Sequence, residues 1–133
     1  MTRTDITLNT QSYDDSIVTV TSTTIDASLV TAGLRVTNGF SVKNGSTRIR
    51  VTNTHSSPHN MLLRAGGYAT GINGDVTYAV TNATTEYVIV NVYEGQLKQL
   101  DGSLYIDFST GFTGAIEITG EATHLTSGYA SYS

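Results

Sequence analysis

The 133-residue sequence contains no cysteine, no tryptophan and a single proline. Without cysteine the chain has no disulfide bond, no thiolate metal site and no cysteine nucleophile, a composition that suits a reducing cytoplasm. Only 14% of the residues are charged, the formal net charge is −4, and the seven lysines and arginines form no cluster. Because nucleic-acid binding requires a basic patch, we predict no nucleic-acid partner.

Long apolar runs are also missing. No segment has the length of a membrane-spanning helix, and the first ten residues lack the apolar stretch of a secretory signal peptide. We therefore predict no membrane partner. The length is that of one domain, which can bury roughly two-thirds of the surface of the unfolded chain and so hold a core without cross-links.

Threonine, valine, isoleucine and tyrosine are frequent, and 13 glycines supply turns. This composition favours strands over helices, and apolar residues alternate with polar ones along much of the chain. Ile49 and Val51, for example, are predicted to point inward, whereas Arg48 and Arg50 point outward. We predict an all-β, single-domain, jelly-roll-like β-sandwich of about eight short antiparallel strands.

We divide the chain into an N-terminal arm (residues 1–15), a β-sandwich domain (16–122) and a polar C-terminal tail (123–133). Residues 24–33 allow two interpretations. They are either a short helix, capped by Thr24 or Asp26 and ended by Gly33, or a loop that leads into a strand. We expect an irregular or briefly helical connection.

Two histidines, His55 and His59, are the first candidates for chemistry. Zinc accepts imidazole and carboxylate ligands, and Asp75 would have to supply a further ligand. Pro58 and two serines separate the histidines, so no helix presents both rings on one face. We interpret them as loop histidines and predict no metal and no cofactor.

Carboxylate pairs are the second candidates, either Asp14 with Asp15 or Asp107 with Glu94 or Glu117. Adjacent Asp residues mark a turn more often than a catalytic pair, and nothing in the sequence brings the others to a catalytic separation. A Gly-x-Ser-x-Gly nucleophile motif is absent from the sequence. We predict no catalytic residues and that the protein is not an enzyme.

The most informative stretch, residues 93–108, reads Tyr-Glu-Gly-Gln-Leu-Lys-Gln-Leu-Asp-Gly-Ser-Leu-Tyr-Ile-Asp-Phe. A polar turn at Asp101-Gly102 leads into a strand in which Leu104, Ile106 and Phe108 point to one side. This stretch resembles a recurrent segment of small β-rich head-decoration (capsid auxiliary) proteins of tailed bacteriophages. The likeness covers residues 40–120 as an ordered series of strands, glycine-rich loop and Gln-x-Asp-Gly turn. The threonine-rich N-terminal third and the Gly/Tyr/Ser tail depart from it.

The resemblance implies a structural virion protein that binds the outside of the capsid and stabilises its lattice. It implies the major capsid protein as partner, together with further copies of this chain as a homo-oligomer. The protein would be made in the host cytoplasm and would end on the capsid surface. No catalytic residue is implied.

Candidate interface residues lie in the N-terminal arm, in the glycine-rich loop at 66–75 and in the tail. They are Thr2, Arg3, Ile6, Leu8, Tyr13, Tyr68, Ile72, Leu125, Tyr129 and Tyr132. Two alternative functions stay open. One is a carbohydrate-binding or adhesin-type sandwich of a tail fibre or cell surface, with Tyr68 in its site. The other is a connector, tail or baseplate subunit of a virion.

Overall fold

A computed structural model describes most of the chain and contains ten strands and one helix within the described part. The described residues are 3–7, 9–11, 20, 22–37, 39, 45–67, 74–91 and 96–122. The strands are β1 (Thr4–Ile6), β2 (Asn9–Gln11), β3 (Ser22–Ile25), β4 (Leu34–Val36), β5 (Gly45–Asn53), β6 (His59–Leu63), β7 (Val76–Val80), β8 (Thr84–Asn91), β9 (Leu104–Phe108) and β10 (Gly114–Ala122), and the helix is α1 (Ala27–Ala32). Among the described residues, helix α1 has six residues and is far too short to span a bilayer.

The strands form two sheets. Sheet A has the order β1-β4-β9-β6-β7. In sheet B the path is β2-β10-β5-β8, and β3 pairs with β10 beside β2, so two short strands share one edge of β10. The prediction of an all-β protein is confirmed.

The inner faces of the two sheets contribute to one hydrophobic cluster. Strand β9 supplies Leu104, Ile106 and Phe108 from sheet A, and strand β5 supplies Ile49 and Val51 from sheet B. All are buried, as their alternation with polar residues predicted. This arrangement is sandwich-like, and it leaves each sheet with an outer face directed away from the cluster.

The structure differs from the predicted set of about eight antiparallel strands in number and in direction. It has ten described strands, and two pairings are parallel: β1 with β4, and β2 with β10. Strands β1, β2 and β3 have only three or four residues each and are mostly polar, so they carry too few positions to show an alternating pattern. They belong to the sheets because they pair at the edges with strands that are distant in sequence.

The N-terminal segment crosses from one sheet to the other. Strand β1 lies on the edge of sheet A and β2 on the edge of sheet B, and only Thr7 and Leu8 separate them. The backbone amide of Thr4 donates to the Gly33 carbonyl at 2.9 Å, and that of Thr37 donates to the Ile6 carbonyl at 2.9 Å. Residues 4–6 and 9–11 of the predicted arm are thus paired in this structure. The proposed division at residue 15 stays a prediction.

The connection at residues 24–33 contains a short helix. Asp26 caps α1 by accepting a hydrogen bond from the Leu29 amide at 3.0 Å. Gly33 ends the helix with a φ of +79°, a conformation that favours glycine. A Cβ at this position would also collide with the side chains of Arg3 and Asp107. The expectation of a briefly helical connection is confirmed, with Asp26 rather than Thr24 as the cap.

Candidate interaction surfaces

The outer face of sheet A carries a network of ion pairs that starts at the N-terminus. Arg3 binds Asp107 through both of its terminal nitrogens, at 2.6 and 3.1 Å. Its guanidinium carbon lies 4.4 Å from the centre of the Tyr105 ring. The same guanidinium group reaches the backbone carbonyls of Leu34 and Ile106 at 3.4 and 3.5 Å. Arg3 therefore fixes the start of the chain to β4 and β9.

The network continues on both sides of this pair. Arg64 lies 3.5 Å from Asp107 and 3.5 Å from Asp75. Arg35 binds Asp101 at 2.7 Å and lies 3.6 Å from Asp5. Three arginines and four aspartates, counting Arg3 and Asp107, thus form ion pairs on this side of the molecule, and the Nε atom of Arg35 is buried without a hydrogen-bond partner among the described residues.

Asp101 is held further by its own turn. Its carboxylate accepts hydrogen bonds from the Ser103 hydroxyl at 2.5 Å and from the Ser103 amide at 3.0 Å. These bonds, together with Arg35, lower the pKa of the Asp101 carboxyl below its ordinary value because they stabilise the charged form.

The turn at residues 96–103, which we call the braced turn, is closed by backbone hydrogen bonds. The Gln99 amide donates to the Ser103 carbonyl at 3.0 Å, and the Gly102 amide donates to the Gln99 carbonyl at 2.9 Å. Gly102 has a φ of +84°. The Asp101-Gly102 turn predicted from the sequence is thus present, and it leads directly into β9.

The braced turn is also bound to both ends of the glycine-rich loop. The Gln96 side chain donates to the Gly74 carbonyl at 2.8 Å, and the Gln99 side chain donates to the Ala65 carbonyl at 2.9 Å. In return, the Gly66 amide donates to the Gln96 carbonyl at 2.8 Å. Two glutamine side chains, one for each end, therefore position the base of this loop.

Leu100 projects from the braced turn into solvent. It is 71% exposed, the most exposed of the large apolar residues in the described part of the chain. It lies against the backbone of Gly67, since a Cβ there would be 2.6 Å from the Leu100 Cγ. Leu97, three residues earlier, is buried in the core and anchors the turn from below.

The outer face of sheet B is built differently, from rows of residues that run across its strands. One row of small side chains, the threonine row, consists of Thr24, Ala115, Thr52 and Thr85 on β3, β10, β5 and β8. The Thr52 and Thr85 hydroxyls lie 2.8 Å apart. The threonine row contains no charged side chain.

The adjacent row, the tyrosine row, consists of Ser22, Glu117, Arg50 and Tyr87 on the same four strands. Tyr87 is 62% exposed, and the Arg48 guanidinium carbon lies 4.7 Å from the centre of its ring. Arg50 and Glu117 are 3.8 Å apart, which is an ion pair beyond hydrogen-bonding distance. This face therefore presents an exposed ring and an exposed cation.

The histidines lie at the other end of the sandwich from the braced turn. The His55 and His59 rings are 4.4 Å apart, and the Nδ1 atom of each has a hydrogen-bond partner in Ser57. Asp75 lies beyond the opposite end of β6, where it accepts a bond from the Ala65 amide at 2.6 Å. The described residues include no group of three metal-ligating side chains.

The considered carboxylate pair of Asp107 and Glu117 is not a pair in the structure. Asp107 lies on the outer face of sheet A with Arg3, and Glu117 lies on the outer face of sheet B with Arg50. The hydrophobic cluster separates them. Asp14, Asp15 and Glu94 lie outside the described residues.

Two of the ten predicted interface residues are described by the structure. Arg3 is bound to Asp107 as given above, and Ile6 packs against the hydrophobic cluster. The other eight lie outside the described residues: Thr2, Leu8, Tyr13, Tyr68, Ile72, Leu125, Tyr129 and Tyr132. Their role at an interface stays a prediction.

The sequence reasoning missed the two most exposed large apolar residues, Tyr87 and Leu100. A signal for each was present. Tyr87 occupies an outward position in the alternation of β8, and Leu100 stands between Gln99 and Asp101 in a polar turn. Large side chains at such positions point away from the hydrophobic core and are expected to be exposed.

Comparison with protein-family models, with curated proteins and with solved structures finds no match to this chain.

Proposed function

We propose that this chain is a structural protein of a tailed-phage virion that binds the outside of the capsid and stabilises its lattice. The likeness of residues 40–120 to head-decoration proteins motivates the proposal, and the two sheets around a common core agree with it. We also propose a jelly-roll-like sandwich as its class, with β1 and β2 as parallel additions at the sheet edges.

The single observation that carries the proposal is the exposed Leu100 on the braced turn. Isolated exposed leucines are common on protein surfaces. Leu100 differs because its turn is closed internally and is bound to the loop beside it, so the backbone that carries the side chain is held in place. An apolar residue on a preorganised backbone loses less conformational entropy on binding and can fill a pocket on a partner.

The mechanism is physical rather than catalytic. A protein that binds the expanded capsid lattice better than the unexpanded one stabilises the expanded form by mass action. Its partners are the major capsid protein and further copies of itself, arranged about a symmetry axis of the lattice. The protein is made in the host cytoplasm and is located on the capsid surface.

The first experiment is a quantitative gel of purified particles of the virus that encodes the chain, with the major capsid protein as internal standard. A ratio of about one copy per capsid subunit, or per local three-fold axis, supports decoration. A copy number that suffices for only one small ring per particle contradicts decoration and indicates a connector or tail subunit. Absence of the chain from the particles excludes a virion role.

The second experiment tests the braced turn directly. We expect Leu100→Asn to weaken binding to capsids that lack the protein by about tenfold or more, because an apolar anchor is lost. The free energy of unfolding should change by less than about 0.5 kcal/mol, since the side chain is exposed. Val20→Asn is the matched control, because Val20 is an exposed aliphatic residue outside the braced turn. Equal capsid binding by both variants would remove the support that Leu100 gives.

A further inference from the structure

The tyrosine row and the threonine row of sheet B have the chemistry of a binding surface for a sugar. An aromatic ring offers its face to the apolar C–H side of a pyranose, and hydroxyl groups exchange hydrogen bonds with those of the sugar. On this surface, Tyr87 supplies the ring, and Thr52 and Thr85 supply hydroxyls in the next row.

The Tyr87 ring has a cation on one of its faces. The Arg48 guanidinium group covers one of its faces, at 4.7 Å, while the residue as a whole is 62% exposed. The opposite face is therefore the one open to solvent. Because the small side chains of the threonine row stand beside it, they leave room for a ring-shaped ligand against this face.

Arg50 provides a cation that suits a carboxylate. It is paired with Tyr87 across the strands, and the described carboxylate of the tyrosine row is Glu117. The Arg50 side chain is 56% exposed, and its contact with Glu117 at 3.8 Å is too long for a hydrogen bond. An arginine that is exposed and lies beyond hydrogen-bonding distance of its carboxylate partner keeps N–H donors for bidentate binding of a carboxylate on a ligand.

The spacing of the strands gives the length of surface that the tyrosine row offers to a ligand. Neighbouring strands lie about 4.8 Å apart, so the row from Tyr87 through Arg50 to Glu117 extends roughly 10 Å across the sheet.

We propose that the outer face of sheet B binds an oligosaccharide that carries carboxylates, as in uronic or sialic acids. One pyranose stacks on Tyr87, its carboxylate binds Arg50, and the Thr52 and Thr85 hydroxyls bond to sugar hydroxyls. The site is on the sheet opposite the one that carries the braced turn, so it does not depend on the proposed capsid binding. It also differs from the Tyr68 site considered from the sequence.

The test is isothermal titration of the full-length protein with four carboxylated glycans: polygalacturonate, alginate, hyaluronan and polysialic acid. We expect at least one to bind. Tyr87→Ala and Arg50→Gln should each weaken that binding by about tenfold or more, while Tyr87→Phe, which keeps the stacking ring, should retain most of it.

The matched control is Tyr105→Ala on the other sheet. Tyr105 is also stacked with an arginine, Arg3, but within the ion-pair network. Its variant should bind the glycan as the unaltered protein does. Circular dichroism of each variant verifies that the fold is kept.

Three results would overturn the proposal. The first is no heat of binding with any of the four glycans at millimolar concentration. The second is equal binding of polyglutamate, which would mean that charge alone, as in an acidic peptide, is recognised. The third is unchanged glycan binding by Tyr87→Ala.

Discussion

The two outer faces each contain an arginine stacked on a tyrosine, at nearly the same distance. Arg3 lies 4.4 Å from the Tyr105 ring on sheet A, and Arg48 lies 4.7 Å from the Tyr87 ring on sheet B. On sheet A the arginine also binds Asp107 through two nitrogens, and the side chains of both are mostly buried. On sheet B the tyrosine is largely exposed.

The difference shows that the neighbours of a stack decide its role. Because Arg3 also binds the Asp107 carboxylate and lies beside backbone carbonyls, its stack on Tyr105 stabilises the fold. On sheet B the Tyr87 residue is 62% exposed, so the surface of its ring remains available to a ligand. We therefore interpret the sheet A stack as structural and the sheet B stack as a binding surface.

The largest effect that tests this comparison of the two stacks is expected when Arg3 is removed. We expect Arg3→Ala to lower the free energy of unfolding by about 1.5–3 kcal/mol, because it removes a bidentate charged pair and leaves Asp107 with Arg64 alone at 3.5 Å. Urea unfolding followed by circular dichroism measures the change. The single variant Asp107→Ala and the double variant with Arg3→Ala complete a double-mutant cycle, which isolates the coupling energy between the two side chains.

A loss below about 0.5 kcal/mol for Arg3→Ala is the value expected of an ordinary surface pair. Such a result would mean that the two stacks are equivalent and that sheet A is not specially stabilised by its network.

A smaller, pH-dependent effect is expected at Asp101. Because its pKa is lowered in the folded protein, the charged carboxylate stabilises the fold at pH values above its ordinary pKa of 3.8. That stabilisation is lost as the pH falls through the lower pKa of the folded state. The urea midpoint of Asp101→Asn should therefore lie below that of the unaltered protein at pH 6, and the two should converge as the pH falls below about 4.

The control for this prediction is Glu117→Gln on sheet B, whose urea midpoint is measured over the same pH range. A constant difference between Asp101→Asn and the unaltered protein from pH 6 to pH 3 would contradict the assignment.

The smallest effect is expected at Arg50. Its contact with Glu117 is long and exposed, so Arg50→Ala should change the free energy of unfolding by at most about 0.5 kcal/mol. Urea unfolding under the conditions used for Arg3→Ala makes the two values directly comparable. If Arg50→Ala proved as destabilising as Arg3→Ala, Arg50 would be a structural residue and a poor candidate for ligand binding.

The longer strands were predictable from the sequence because their alternation covers several positions. Ile49 and Val51 in β5 are buried as expected, as are Leu104 and Ile106 in β9. The expectation of a briefly helical connection came from Asp26 and Gly33, although the sequence also allowed a loop that leads into a strand. Local signals of this kind need no knowledge of distant partners.

Other features depended on contacts between residues far apart in sequence. Arg3 and Asp107 are 104 positions apart, and neither residue type indicates its partner. The braced turn was recognised as a turn, but its bonds to Ala65 and Gly74 come from side chains of unexceptional glutamines. The alternation of β8 indicated the outward position of Tyr87, but the pairing of β8 with β5, which places Tyr87 beside Arg50, was not visible in the sequence.

The crossing of the N-terminal segment between the sheets has a consequence for the order in which the protein folds. Strand β2 pairs with β10, in a register that joins Asn9 to Thr119. Strand β2 therefore joins sheet B only after almost the entire described chain has been synthesised. Loop closure over such a separation is slow. The edge of β10 that pairs with β2 consequently stays open until late in folding, and at high concentration it is the place where two unfinished chains would join.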